Sequence, residues 1–231
     1  VCVPTGNFGN IFAAYIAKLM GLPVDKLVCA ANKNNVLADF ITTGTYDKNR
    51  PLYKTQSPSM DILVSSNLER FLYYASGCDC DYVKGLMEEL SETGRFTVNG
   101  TVLNKLQETF DCGYISNEES KTAIRDAYYN DGRLIDPHTA VAYRCAEKMN
   151  GHIVVLSTAS PFKFAADVYN ALFDDISDAD GFTYMEKLSD KTEEGIPLPL
   201  KSLREKEELH KSVVEIDDMR SFVIQSIEKT L

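Results

Sequence analysis

The sequence lacks the long apolar runs and the cysteine density that mark membrane proteins and disulfide scaffolds. No apolar run approaches the roughly 20 residues that a membrane-spanning helix needs, so we expect no membrane partner. Six cysteines among 231 residues are too sparse for a disulfide scaffold, and we expect reduced thiols. The three histidines are scattered and Cys78-Asp79-Cys80 has no second ligand pair, so no metal site is predicted. The start of the chain does not resemble a signal peptide, and the cytoplasm is the expected location.

Basic residues are also in the minority. The chain has 34 acidic and 24 basic residues, which gives a formal charge of −10 at pH 7. This balance disfavours a nucleic-acid partner and an anionic membrane surface. The acidic runs are most simply explained as solvated surface. With 44% hydrophobic residues, the chain can bury a core of one domain or slightly more.

What the sequence does contain, at its beginning, is a glycine-bracketed turn between a short apolar strand and a helix. The segment reads Val3-Pro4-Thr5-Gly6-Asn7-Phe8-Gly9-Asn10-Ile11. Glycines allow successive backbone N–H groups to converge on an anion, and the following helix presents its positive end to the same point. The pattern predicts a phosphate-binding loop formed by Gly6, Asn7, Phe8, Gly9 and Asn10, although two glycines can also simply make a turn.

The order of the elements that follow predicts an α/β protein with a parallel sheet. A helical pattern from Ile11 to Met20 leads to a buried strand over residues 27–31, and this βαβ rhythm places helices on both faces of the sheet. Ligands then bind beyond the carboxyl ends of the strands, where the glycine loop lies. Further helices are predicted near residues 34–40, 60–75, 83–94, 116–129, 137–149 and after Pro161, strands at 112–115 and 153–156, and either a hairpin or a loop into a helix at 96–105.

The composition changes after residue 173. Residues 1–173 are predicted to form part of the α/β domain, and residues 174–231 an extension that packs on it. Within the extension, residues 174–202 turn acidic and proline-bearing and predict an extended segment, followed by an edge strand at 213–216 and an amphipathic docking helix.

The glycine loop resembles the phosphate-binding loop of the threonine synthases, in which Gly-Asn-Phe-Gly-Asn follows a short apolar strand. Other segments look like that family in the family's order: Ala31-Asn32-Lys33-Asn34-Asn35, Thr43-Gly44-Thr45-Tyr46, Ser57-Pro58-Ser59-Met60-Asp61-Ile62, Ser65-Ser66-Asn67-Leu68-Glu69-Arg70, Asp136-Pro137-His138-Thr139-Ala140-Val141 and Ser157-Thr158-Ala159-Ser160-Pro161-Phe162-Lys163-Phe164. The resemblance spans most of the chain. It departs at Ser160, where the family usually reads Thr-Ala-His-Pro, so no role of that histidine carries over.

The resemblance implies a three-layer parallel-sheet domain of the tryptophan-synthase-β-like fold and a pyridoxal 5'-phosphate cofactor. It also implies a reaction in which O-phospho-L-homoserine and water give L-threonine and phosphate. In the family, the threonine that matches Thr158 contacts the pyridine nitrogen of the cofactor. From the residues alone, local capping with Ser157 and Ser160 is the favoured explanation of Thr158. For the leaving phosphate, Arg70 with Ser65, Ser66 and Asn67 are candidates, although Arg70 also suits a surface ion pair.

The lysine that would carry the cofactor is not evident. In the family it lies in a Phe-Lys-Asp context well before the glycine loop, and no such context occurs here. Phe162-Lys163-Phe164 is a near-match, but it follows Pro161 at a predicted helix start. We therefore expect a domain that is incomplete at its N-terminus, inactive alone, with the N-terminal portion of the same protein as its partner. The alternatives are another pyridoxal-phosphate phospho-lyase of this fold and a non-catalytic phosphate-binding remnant.

Overall fold

The computed structural model describes residues 1–175 and 177–229 and divides into two compact units, Val1–Ile196 and Pro197–Leu231. The helices and strands of the first unit are β1 (Cys2–Pro4), α1 (Gly9–Leu19), β2 (Leu27–Ala31), α2 (Val36–Thr43), β3 (Thr45–Asp47), α3 (Leu68–Ala75), α4 (Cys80–Thr93), β4 (Arg95–Thr97), α5 (Gly100–Thr109), β5 (Phe110–Tyr114), α6 (Asn117–Asp131), α7 (Pro137–Ala146), α8 (Ala165–Phe173) and α9 (Gly181–Thr192). The second unit contains α10 (Leu198–Lys201) and α11 (Met219–Glu228).

The central sheet is parallel, as predicted, with the strand order β1-β2-β5. Side chains on its strands alternate between two cores. Val3 and Cys29 face the core that also contains residues of α1 and α2, whereas Cys2 and Val28 face the core that contains residues of α7. Helices therefore cover both faces, and the predicted α/β class is confirmed.

The segment 153–156, predicted as a strand, forms only one bridge, between Cys2 and Val155. The Cys2 N–H donates to the Val154 carbonyl at 2.8 Å, and the Leu156 N–H donates to the Cys2 carbonyl at 3.0 Å. The next bond of a parallel ladder would need an N–H at Pro4, and proline has none. The prediction of a full strand was therefore wrong, although the segment is hydrogen-bonded to the edge of β1.

In the first half of the chain, one further prediction fails and one pair of alternatives is resolved. The helix expected from residue 60 begins only at Leu68, because the Ser65 N–H donates to the Tyr46 hydroxyl and the Ser65 hydroxyl donates to the Gly6 carbonyl. Residues 96–105 do not form a hairpin; β4 pairs antiparallel with β3, and Asn99 caps α5 by accepting from the Val102 N–H at 3.0 Å. The loop-into-helix alternative is the one found.

Two predictions for the end of the chain were also wrong. The acidic segment after residue 174 is not extended throughout but contains α9, capped by Asp180, with Tyr184, Met185 and Leu188 buried. No strand forms at 213–216; residues 213–215 are irregular and a short 3-10 turn, Ile216–Asp218, precedes α11. The boundary between the two units lies between residues 196 and 197, not at the compositional change near residue 174. That residues 174–231 pack as an extension on the α/β domain stays a prediction. Within the residues described, no helix is long and apolar enough to cross a membrane.

Candidate functional site

The glycine loop connects β1 to α1 and leaves most of its backbone donors free. The Gly9 N–H donates to the Asn7 side-chain oxygen at 2.9 Å. Among the residues that the structure describes, no acceptor is found for the N–H groups of Gly6, Asn7, Phe8 or Asn10. Unpaired donors at the start of a helix are typical of anion-binding sites.

Phe8 fixes the shape of this loop. It precedes α1 in the left-handed conformation, with φ of 68° and ψ of 0°, which is rare for a bulky side chain. Its ring is 1% exposed and lies 6.2 Å from the Phe71 ring and 5.3 Å from the Phe110 ring, centroid to centroid. Burial of the ring therefore holds a strained backbone in place, a feature that is concentrated at functional sites.

Close packing against backbone, rather than a positive φ, accounts for Gly6, and a looser contact with side chains accounts for Gly9. A Cβ at Gly6 would lie 3.0 Å from the Ser59 carbonyl oxygen and 3.0 Å from the Met60 Cα. A Cβ at Gly9 would lie 3.1 Å from the Asn7 side-chain oxygen. The loop thus rests directly on the turn Pro58–Met60, a contact that sequence spacing did not indicate.

Thr158 lies on the same cavity as the glycine loop. The cavity has a volume of about 220 Å³ and is lined by Pro4, Gly6, Asn7, Asn10, Ser59, Met60, His138, Thr158, Ala159, Lys163 and Phe164. Thr158 is exposed, and its N–H donates to the Thr139 hydroxyl at 3.4 Å. The local cap comes instead from Ser160, which accepts from the Phe162 N–H at 3.3 Å.

Lys163 brings a positive charge to this cavity. Its side chain is exposed, and its Nζ lies 5.4 Å from the centre of the Phe164 ring. Lys163 is the only lysine or arginine among the described residues that line the cavity.

Two of the remaining candidates for phosphate contacts hold the loop instead. The Asn67 side chain donates to the Asn7 carbonyl at 3.0 Å, and the Ser65 hydroxyl donates to the Gly6 carbonyl at 2.7 Å. Arg70 is exposed and does not line the cavity. Ser65 and Asn67 therefore hold the loop that carries the free donors.

A buried polar cluster beneath the cavity was missed by sequence reasoning, which named Asp136 and His138 within a segment that resembles the family. Asp136 is 0% exposed, and its Oδ1 lies 2.9 Å from His138 Nδ1. His138 Nε2 accepts a hydrogen bond from the Ser59 N–H at 3.2 Å. Burial on its own raises the pKa of Asp136, but hydrogen bonds from His138 and Thr139 outweigh it and the pKa is lowered.

A second, partly buried network orders the segment that leads into the turn Pro58–Met60. The side-chain amides of Asn32 and Asn34 donate to Asp61 Oδ1 at 2.7 and 2.9 Å, and the Thr55 N–H donates to Asp61 Oδ2 at 2.7 Å. The carboxylate of Asp61 therefore ties the end of β2 to the chain just before and after the turn. The position of two asparagines directly after a buried strand is the signal that could have indicated it.

Comparison with known proteins agrees with this architecture. The family model described as "Threonine synthase, C-terminal" matches residues 139–223. Human threonine synthase-like 1 is 44% identical over 176 residues, which cover 74% of this chain and 24% of that protein. The chain thus spans about a quarter of the length of that relative.

Two solved structures match most of the chain. A threonine synthase from Brucella melitensis, bound to pyridoxal phosphate, is 38% identical with a TM-score of 0.77, covering 90% of this chain and 41% of that one. Yeast threonine synthase is 32% identical with a TM-score of 0.82, covering 99% of this chain and 47% of that one. By sequence and by fold, the chain belongs with the threonine synthases, of whose length it spans less than half.

Proposed function

We propose that this chain forms the phosphate-binding and ring-binding part of a pyridoxal-phosphate-dependent threonine synthase. The parent protein would convert O-phospho-L-homoserine and water to L-threonine and phosphate. The observation that carries the proposal is that Gly6, Asn7 and Asn10, whose N–H groups have no acceptor among the described residues, line one cavity with Thr158. The cytoplasm is proposed as the location on composition alone.

The residues present suit the cofactor at both of its ends. The N–H groups of Gly6, Asn7, Phe8 and Asn10 would bind the phosphate, and the start of α1 favours its negative charge. The hydroxyl of Thr158 would donate to the ring nitrogen. A neutral hydroxyl orients the ring without forcing a proton onto that nitrogen. When bound, pyridoxal phosphate supplies an electron sink for carbanions.

The lysine that acts as base in the family is not assigned to any residue here, so we propose that the chain alone does not form threonine. Its part in the reaction would be to bind and orient the ring. A second candidate function is binding of a simple anion. It is favoured by the cavity volume of about 220 Å³, which is below the roughly 300–1,000 Å³ typical of small-molecule pockets.

Pyridoxine 5'-phosphate is the probe that separates these two functions, because it has the ring and the phosphate but no aldehyde to react with surface lysines. Calorimetric titrations would compare it with inorganic phosphate on the wild-type chain, Thr158→Val and Thr158→Ser. Loss of one hydrogen bond of about 1 kcal/mol weakens binding about fivefold.

We expect Thr158→Val to weaken binding of pyridoxine 5'-phosphate by about that factor and to leave phosphate binding unchanged, with Thr158→Ser close to wild type. Equal affinities for the two ligands, unaffected by either substitution, would support the simple anion site instead. Failure of the wild-type chain to bind either ligand would contradict both functions.

A further inference from the structure

Asp136 lies beneath both walls of the cavity, although it does not line the cavity itself. It caps α7 by accepting from the His138 N–H at 2.9 Å and the Thr139 N–H at 3.4 Å. Two side chains on the first turn of that helix then return to the same carboxylate. They connect it to opposite sides of the site.

His138 makes the connection to the glycine loop. Its Nδ1 lies 2.9 Å from Asp136 Oδ1, and its Nε2 accepts from the Ser59 N–H at 3.2 Å. This pair of contacts requires the neutral ring with its proton on Nδ1. The Ser59 carbonyl lies directly under Gly6, and a Cβ added to Gly6 would lie only 3.0 Å from the carbonyl oxygen. A displacement of the ring would therefore move the surface on which the loop rests.

Thr139 makes the connection to the other wall. Its hydroxyl donates to Asp136 Oδ2 and accepts from the Thr158 N–H at 3.4 Å. The hydroxyl is thereby oriented by the carboxylate, since its single proton is directed toward Asp136. The backbone that carries Thr158 is held by the oxygen lone pairs that remain.

We propose that Asp136, acting through His138 and Thr139, is a positioning residue that sets the separation between the glycine loop and Thr158. The inference rests on the proposed function, because that separation matters for a ligand with a phosphate at one end and a ring nitrogen at the other. A ligand that contacts only the loop depends on the His138 connection alone. This positioning role does not require these residues to contact the ligand.

Two substitutions of His138 separate its bonds. The amide of Asn in His138→Asn can take the place of Nδ1 and keep the bond to Asp136, but it cannot reach Ser59. The side-chain oxygen of Gln in His138→Gln can take the place of Nε2 and accept from the Ser59 N–H. We expect His138→Gln to bind pyridoxine 5'-phosphate within about threefold of wild type and His138→Asn to bind it about tenfold or more weakly.

Amide hydrogen exchange gives a readout that needs no ligand. The Ser59 amide should exchange slowly in wild type and His138→Gln and rapidly in His138→Asn, because only the last lacks its acceptor. Nitrogen-15 spectra of His138 should show the proton on Nδ1. A proton on Nε2, or equal exchange and equal affinity in the two variants, would overturn the positioning role.

The Thr139 connection provides a second test should His138→Asn not fold. Thr139→Ser keeps the hydroxyl and Thr139→Val removes it at nearly the same volume. We expect Thr139→Val to weaken the binding of pyridoxine 5'-phosphate about fivefold and to leave phosphate binding unchanged. Thr139→Ser should bind both ligands with wild-type affinity. Equal binding by the two variants would contradict the inference. If the Ser59 amide exchanges slowly but the wild-type chain binds no ligand, the proposed function is contradicted and the positioning by His138 is not.

Discussion

The ring of Phe8 meets the ring of Phe110 edge-on, with centroids 5.3 Å apart. This contact joins the residue that shapes the glycine loop to the first residue of β5, 102 positions later in the sequence. Aromatic pairs in this geometry contribute beyond the area that they bury. The loop conformation is therefore maintained by the core as well as by its own glycines.

Removal of the Phe8 ring should destabilise the whole unit. We expect Phe8→Ala to lower the free energy of unfolding by about 3–5 kcal/mol, because it leaves a cavity among packed rings. Urea unfolding followed by circular dichroism measures the change. Leu19→Ala, at a 56% exposed position at the end of α1, is the control and should change the free energy of unfolding by no more than about 0.5 kcal/mol. A loss below about 1 kcal/mol in Phe8→Ala would contradict the anchoring role.

A methyl group at Gly6 should impair anion binding through the turn beneath it. The nearest atoms to the added Cβ are the backbone of Ser59 and Met60, at 3.0 Å, which cannot rotate away as a side chain could. We expect Gly6→Ala to weaken phosphate binding by about tenfold, or about 1.4 kcal/mol. Titration calorimetry measures the affinity.

Gly85, within α4, is the matched control for this substitution. A Cβ there meets no atom within 4 Å, so Gly85→Ala should leave binding unchanged and raise stability by about 0.5–1 kcal/mol. Unchanged phosphate binding in Gly6→Ala would show that the loop does not depend on its contact with the turn.

The lysines of the chain should not form a specific link with pyridoxal phosphate. We expect borohydride reduction followed by peptide mapping to show only weak, distributed labelling, because the family's lysine context is missing from this sequence. Lys163 is the informative position, since it lines the cavity, and exposed Lys33 reports the non-specific background. Selective labelling of Lys163, suppressed by inorganic phosphate, would identify it as the reactive lysine and overturn the expectation.

The buried cysteines should resist alkylation in the native chain. Burial raises the pKa of Cys2 to about 12 and that of Cys145 to about 11. A raised thiol pKa keeps the group protonated near pH 8, and the thiolate is the reactive form. Iodoacetamide with mass spectrometry should modify exposed Cys78 and Cys80 first and the buried thiols only after unfolding. Early modification of Cys2 would contradict the buried environment.

Features encoded within a few residues were predicted correctly from the sequence. The strand 27–31 follows from five consecutive apolar residues, and the end of α4 follows from Gly94, which takes the left-handed conformation at the helix end. The start of the helix predicted near residue 116 follows from a capping box, in which the Glu119 side chain accepts from the Ser116 N–H at 2.9 Å. Each depends on neighbours along the chain.

Contacts between distant residues were not predictable in this way. The bond between Ser59 and His138 joins positions 79 apart, and nothing in either segment specifies the other. α9 was not predicted because only Tyr184, Met185 and Leu188 of this helix are buried, and most of its other residues are polar. The single bridge at Val155 depends on a proline in the neighbouring strand, not on the apolar run that suggested a full strand.

The cavity draws its lining from residues as far apart as Pro4 and Lys163. During synthesis the glycine loop therefore emerges well before Lys163, and the cavity is complete only once both are present. Closing contacts over such separations is slow, because the entropy of the intervening chain is lost before they form. During refolding, ligand binding should consequently appear later than the circular dichroism signal of the helices. A peptide of the loop alone would carry the N–H donors but not the other residues that line the cavity.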